Sequence, residues 1–160
     1  MKASTRPACF LLLLFAAFFG AVASAARAQE YITPPVGSTS RKEVFDAIRP
    51  RVERHFGQTV KFVPTIFRVS PRWALVVATA QRPNGAPLDY TLSPGYRKNP
   101  REIRDDVRQG MLFGGVVALL RQTGSGTWEI ADVVYDAGDA VWSDYDVRFG
   151  VPKAMLRPPE

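Results

Sequence analysis

The segment 73–81, WALVVATAQ, constrains the fold of this chain most strongly, because it is apolar on both faces. Side chains alternate along a strand. One face therefore carries Trp73, Leu75, Val77 and Thr79, and the other carries Ala74, Val76, Ala78 and Ala80. A strand that is apolar on both faces is usually covered on both. The small face predicts a closely packed helix, and the large face needs a second cover.

The run before this segment, residues 60–69 (VKFVPTIFRV), is also rich in β-formers. The turn residues Ser70, Pro71 and Arg72 join the two runs, a pattern that predicts a β-hairpin. Because Pro64 has no backbone N–H to donate, we expect the first strand to lie at a sheet edge or to contain a bulge.

Residues 1–28 have the pattern of a secretory signal peptide. An apolar run at 10–22 follows Lys2 and Arg6 and ends in two A-x-A cleavage patterns. The run is shorter than the roughly 20 residues of a membrane-spanning helix. We therefore expect cleavage, a periplasmic or secreted protein and no stable membrane anchor afterwards. Cys9, the only cysteine, would leave with this segment, so the fold would rely on its core rather than on disulfides.

The charge of the precursor overstates how basic the remaining chain is. The predicted signal peptide holds three of the 21 basic residues and none of the 15 acidic ones, which leaves a net charge of +3. We expect no nucleic-acid partner. Residues 29–39 form a Pro- and Gly-rich lead, and residues 40–160 are predicted to form a single α+β domain.

A long helix is predicted at the start of this domain. Ser40 and Glu43 have the spacing of a capping box. An apolar stripe at helical spacing consists of Val44, Phe45, Ile48, Val52 and Phe56. Gly57 is placed to end the helix, and Pro50 predicts a kink or a break near Arg49.

A long connection, residues 82–110, follows the hairpin, and such connections are often functional or mobile. Within it, Asn99 and Pro100 predict the start of a short helix that reaches Gln109. Its basic cluster consists of Arg97, Lys98, Arg101, Arg104 and Arg108. One interpretation is a site for an anionic partner, such as an envelope component; the other is a solvated helix with its own ion pairs.

Two further β-rich runs occupy residues 111–122 and 127–135. Gly114 and Gly115 in the first predict a bulge, a sharp bend or the close approach of another backbone. In the second, strict alternation places Trp128, Ile130, Asp132 and Val134 on one face. We expect Asp132 at a sheet end or in a cavity, and both Trp73 and Trp128 in the core.

The C-terminal segment is predicted to cover the large face of the sheet. Asp139 can cap a helix over 140–149. Its apolar stripe consists of Val141, Trp142, Tyr145 and Phe149. The rival cover is a homodimer that buries the same face against its symmetry mate.

The sequence gives little indication of catalysis. His55, the only histidine, lies beside Phe56 at a predicted helix end, and we expect it to be structural or solvated. A zinc site is not expected without cysteines in the mature chain. The aspartates between 132 and 146 do not have the spacing of an EF-hand loop. We therefore predict no metal and no cofactor.

One helix followed by four strands, with the long connection after the second strand, resembles the cystatin-like and NTF2-like α+β folds of small exported bacterial proteins of unknown function. The resemblance covers residues 40–135 and implies a curved antiparallel sheet around a helix. The Q-x-V-x-G loop of cystatins is absent, so no family residues can be carried over.

Two functions are compatible with these patterns. The first is an exported, non-enzymatic binding or accessory module for a protein, an envelope component or an apolar ligand. The alternative is a small NTF2-like enzyme that uses Asp132 as a cavity carboxylate. A closed cavity around Asp132 would favour the enzyme. A sheet face covered by the chain's own C-terminal segment would favour the binding module.

Overall fold

The structure is a computed structural model, and it describes residues 31–158. The predicted signal peptide, residues 1–28, lies outside the described residues, and so does Cys9. Within the described range, no helix is both long enough and apolar enough to cross a membrane.

An N-terminal helix, an antiparallel four-stranded sheet and further short helices make up the described chain. The helices are α1 (Thr39–Phe56), α2 (Pro94–Lys98), α3 (Pro100–Arg108) and α4 (Tyr145–Phe149), and the strands are β1 (Lys61–Val69), β2 (Trp73–Gln81), β3 (Gly115–Gln122) and β4 (Trp128–Tyr135). Single 3₁₀ turns occupy Tyr90–Leu92 and Lys153–Leu156. The strands follow one another in the order β1-β2-β3-β4. The predicted α+β class is confirmed.

Helix α1 packs on the small face of the sheet. Its buried stripe is Val44, Ile48, Val52 and Phe56, each no more than 1% exposed. These side chains share one core cluster with Ala74, Val76, Ala78 and Ala80 of β2. The alanines leave room for the helix to approach the sheet, as the alternation of large and small residues in β2 predicted.

The ends of α1 differ in part from the prediction. The N-cap is Ser38, not Ser40, and its side chain makes no capping hydrogen bond, so the predicted capping box is wrong. Helix α1 also runs unbroken through Pro50 to Phe56, because the buried side chains on both sides of the proline hold it to the sheet. The C-terminal end is as predicted: Gly57 is left-handed (φ +70°) and donates its N–H to the carbonyl of Glu53.

The C-terminal segment covers the large face. Tyr145, Val151 and Met155 are buried there in one cluster with Leu75 and Leu119. Helix α4 begins at Tyr145 rather than at Ala140, because hydrogen-bonded turns occupy 141–144. Val141 and Trp142 nevertheless pack against the same cluster. The chain's own tail therefore supplies the second cover that the apolar strand requires.

A buried arginine, Arg68 on β1, fixes the end of this tail. Its guanidinium donates to the carbonyl oxygens of Met155 at 2.9 Å and Arg157 at 2.5 Å. It also lies 5.0 Å from the centre of the Tyr31 ring. The two carbonyl oxygens and the aromatic ring stabilise the buried guanidinium. Such partners are needed because burying an unpaired charge is costly.

Bulges in β1 and β4 determine which side chains face α1 and which face the C-terminal segment. In β1 the register shifts between Pro64 and Ile66, and β1 is an edge strand, so both predictions from Pro64 are confirmed. In β4 the register shifts so that Ala131 has no partner on β3. An extra residue moves the following side chains to the opposite face.

The β4 bulge overturns the prediction of one shared face. Trp128 and Ile130 pack on the α1 side, whereas Val134 packs on the tail side. Asp132 also lies on the tail side, where it pairs with Leu119 in the sheet register. Trp128 packs against the core on the α1 side but is only partly buried, so its predicted core position is confirmed in part, whereas Trp73 is 8% exposed and belongs to the core.

Strand β3 begins at Gly115, not at Met111 as expected. Gly114 is left-handed (φ +81°), and its carbonyl accepts the N–H of Ala80 at 2.7 Å. A Cβ at position 114 would lie 2.4 Å from the carbonyl oxygen of Ala80. Of the three predicted roles for this glycine pair, the close approach of another backbone is confirmed.

Alanine substitution of each tryptophan tests which of the two side chains is buried in the core. Trp73→Ala should lower the free energy of unfolding by about 3–5 kcal/mol, because it leaves a cavity between sheet and tail. Trp128→Ala is the matched control and should cost clearly less, because solvent already reaches that side chain. Urea titration of both variants gives the comparison. Equal losses would contradict this assignment of the two sheet faces.

Candidate binding cleft

A cleft of about 660 Å³ opens at one end of the molecule, between the last turns of α1, the connection around α2, and the sheet end where β3 begins and β4 finishes. Its apolar walls are built from Phe56, Tyr90, Ile103, Leu112 and Tyr135. Arg51, Arg54 and His55 contribute from one side of α1. The cleft is thus mostly aromatic and aliphatic inside and basic along one wall.

A carboxylate at the sheet end holds the cleft together. Asp136 follows β4 directly and is left-handed (φ +48°), which is uncommon for a residue other than glycine. Its Oδ1 accepts the N–H groups of Phe113 at 3.0 Å and Gly115 at 2.8 Å. Its Oδ2 accepts the hydroxyl of Tyr90 at 2.9 Å. The Tyr90 oxygen in turn accepts the N–H of Gly114 at 2.7 Å.

These four hydrogen bonds, the Asp136–Tyr90 latch, tie the connection to the start of β3 and the end of β4. Burial raises the pKa of Tyr90, and the nearby charge of Asp136 raises it further. The phenol therefore stays protonated and remains a donor to Asp136. Position 136 tolerates its strained backbone because both carboxylate oxygens are used.

The connection is also attached to the end of α1. The side-chain amide of Gln58 donates to the Asp89 carbonyl at 2.8 Å and accepts the Asp89 N–H at 3.2 Å. Gly57 lies so close to the connection that a Cβ there would be 2.1 Å from the Leu92 carbonyl oxygen. With the Asp136–Tyr90 latch, these contacts fix the cleft wall from two sides.

His55 forms a flat surface on the α1 side of the cleft. Its ring stacks on Tyr135 with centroids 3.6 Å apart and an interplanar angle of 3°. Phe56 meets both rings edge-on. His55 is exposed, but partial burial of its stacked ring lowers its pKa, and the charge of Asp136 acts in the opposite direction. The imidazole is therefore predominantly neutral at pH 7.

The predicted basic cluster lies outside this cleft. Arg97, Lys98 and Arg101 are exposed on α2 and α3. Arg104 donates to the hydroxyl of Tyr96 at 3.2 Å, and Arg108 lies 3.2 Å from Asp105. The same segment lines the cleft with other residues, Pro94, Gly95 and Ile103. Two of the five cations are thus held by neighbours on their own segment.

Asp132, the weak catalytic candidate, lies under the C-terminal segment. Its Oδ2 accepts the hydroxyl of Tyr145 at 3.0 Å, and the guanidinium of Arg148 lies 3.5 Å away. Burial raises the pKa of Tyr145, and the hydrogen bond to Asp132 adds to this effect. The carboxylate thus anchors α4 to β4.

Sequence reasoning missed the residues that build the cleft. Neither Asp136 nor Tyr90 belongs to a motif, and the two residues lie 46 positions apart. Arg51 and Arg54 were not among the predicted site residues. The available signal was their spacing of three residues, next to the lone histidine, at the end of a helix. Within residues 31–158, no group of three or more potential metal ligands comes together.

Removing one hydroxyl tests the Asp136–Tyr90 latch. Tyr90→Phe leaves Oδ2 of Asp136 and the Gly114 N–H without their partner, which should lower the free energy of unfolding by about 1–3 kcal/mol. Tyr96→Phe is the matched control, since that hydroxyl contacts only the exposed side chain of Arg104 among the described residues. Thermal and urea unfolding of both variants would show the difference. Equal stability of the two would contradict a structural role for the Tyr90 hydroxyl.

The chain was also compared with known proteins. No protein-family model, no curated protein and no solved structure matched it significantly. The resemblance to cystatin-like and NTF2-like folds therefore stays a prediction, and function is argued from the geometry of the cleft.

Proposed function

We propose that this protein is an exported, non-enzymatic binding module, and that its ligand is a small molecule with a flat apolar body held in the cleft. The observation that carries the proposal is the cleft itself, about 660 Å³ in volume with aromatic walls. Small-molecule sites are typically concave, mostly apolar and about 300–1,000 Å³ in size. Export rests on the sequence pattern of residues 1–28.

The fixed walls support binding. The Asp136–Tyr90 latch and the Gln58 contacts hold the connection against α1 and the sheet. A wall that is already ordered loses little conformational freedom when a ligand enters, which favours affinity. The stacked His55 and Tyr135 rings offer a flat surface on which a planar ligand can pack.

The hydrogen bonds of Asp136 and Tyr90 favour a structural role for these two groups over a catalytic one. Asp136 accepts three hydrogen bonds from the protein, and the Tyr90 hydroxyl both donates and accepts one. These groups hold the cleft walls, so using them as acid or base would release the walls. General acid–base catalysis instead needs a group within hydrogen-bond reach of the substrate.

The alternative, an enzyme that works through Asp132, has less support. That carboxylate contacts Tyr145 and Arg148 of the covering segment. Its side chain is 23% exposed, but using it as an acid or base would break the hydrogen bond from Tyr145 that anchors α4. The covered sheet face is the arrangement that favours the binding module.

A neutral aromatic dye tests the proposed site. N-phenyl-1-naphthylamine becomes fluorescent in apolar sites, and it should bind the purified protein saturably with a stoichiometry of about one. Gly95→Leu should abolish this binding, because a Cβ at position 95 meets nothing closer than 3.8 Å and the longer side chain can grow into the cleft.

Gly124→Leu is the matched control. A Cβ at that position meets nothing within 4 Å, and the residue lies in the β3–β4 turn, away from the cleft. Thermal unfolding of both variants establishes that they are folded. Absence of saturable binding to the unmodified protein, or equal binding by the Gly95→Leu variant, is the result that would reject the cleft as the site.

A further inference from the structure

Two arginines of the cleft have no carboxylate partner in the described structure. Arg51 and Arg54 lie three residues apart on α1, and both line the cleft. Within residues 31–158, neither guanidinium lies within 4.0 Å of an acidic side chain, although the neighbouring Arg49 lies 3.8 Å from Glu53. The α1 wall of the cleft therefore presents two positive charges that intramolecular ion pairs do not offset.

The acidic group of the cleft does not neutralise them. Asp136 directs both carboxylate oxygens at the donors of the Asp136–Tyr90 latch. The two arginines also affect the pKa of Tyr135 on the cleft wall. Burial raises the pKa of Tyr135, and the positive charges of Arg51 and Arg54 act in the opposite direction. Both arginines also line the same cleft as the stacked His55 and Tyr135 rings.

The helix dipole explains only part of this arrangement of arginines. Cations in the last turn of a helix interact favourably with its dipole, which accounts for Arg54. It does not account for Arg51, one turn earlier, or for the placement of both side chains along one cleft. Two like charges on one helix face repel each other, and an anion between them removes that cost.

We propose that the ligand of the cleft is a small aromatic or polycyclic anion, whose flat body packs on the His55–Tyr135 stack and whose anionic group binds Arg51 and Arg54. This inference rests on the proposed function, because it specifies the ligand of the same cleft. Charge complementarity carries it: an apolar interior with an uncompensated basic wall matches a molecule that is apolar at one end and negative at the other.

Two dyes with one skeleton test the inference. The first is neutral N-phenyl-1-naphthylamine, and the second is 8-anilinonaphthalene-1-sulfonate, which adds a single sulfonate. The sulfonated dye should bind the unmodified protein about tenfold tighter, because its sulfonate can accept charge-assisted hydrogen bonds from Arg51 and Arg54. Its affinity should also fall with added salt, whereas that of the neutral dye should not.

The double variant Arg51→Gln/Arg54→Gln should lose about tenfold in affinity for the sulfonated dye relative to its affinity for the neutral dye. Arg97→Gln/Arg101→Gln is the control with the same change in net charge, placed on the exposed basic cluster. It should bind both dyes like the unmodified protein. Fluorescence titration and thermal unfolding of all three proteins complete the set.

The outcomes separate the two proposals. Equal affinity of the unmodified protein for both dyes, or unchanged sulfonate binding after Arg51→Gln/Arg54→Gln, overturns the anionic ligand while leaving the cleft as an apolar site. Loss of sulfonate binding in Arg97→Gln/Arg101→Gln alone also overturns it and assigns the anion to the basic cluster. Neutral-dye binding that Gly95→Leu does not block overturns the proposed function itself.

Discussion

Burial of both faces of the central strands is the constraint on which this structure depends. Strands β2 and β3 are buried almost throughout, so the sheet needs a cover on each side. Helix α1 supplies one, and the C-terminal segment, fixed by the carbonyl contacts of Arg68, supplies the other. With both faces occupied, a cleft of about 660 Å³ remains at a sheet end, where the connection between β2 and β3 returns to the body.

The Asp136–Tyr90 latch turns this open end into a defined cleft. A connection of 33 residues, 82–114, with little apolar anchoring would otherwise be held weakly. The carboxylate of Asp136 accepts hydrogen bonds from two backbone N–H groups near the start of β3 and from the hydroxyl of Tyr90. The same side chain therefore fixes the sheet end and positions the cleft wall that the connection forms. In the proposed function, Asp136 holds the walls of the cleft and the arginines of α1 face the ligand.

The sequence predicted features that depend on local spacing. The alternation in β2 predicted which face takes the helix, Pro64 predicted an edge strand with a bulge, and Gly57 predicted the end of α1. Features set by pairing over long distances were not predictable. The extra residue at Ala131 reverses which side chains of β4 face α1, and the alternation pattern alone does not reveal it. The partnership of Tyr90 with Asp136 depends on how the connection folds back, which no local pattern encodes.

Amide chemical-shift mapping tests the central claim, that ligand binding takes place in the cleft, most directly. With 8-anilinonaphthalene-1-sulfonate added to isotope-labelled protein, this account predicts that the largest shifts fall on His55, Gly95 and Tyr135, together with the His55 ring signals. Ring currents from a stacked ligand act over short distances, so the shifts should mark the walls it touches. Largest shifts along the outer surface of α2 and α3, or around Asp132 beneath α4, would contradict the account.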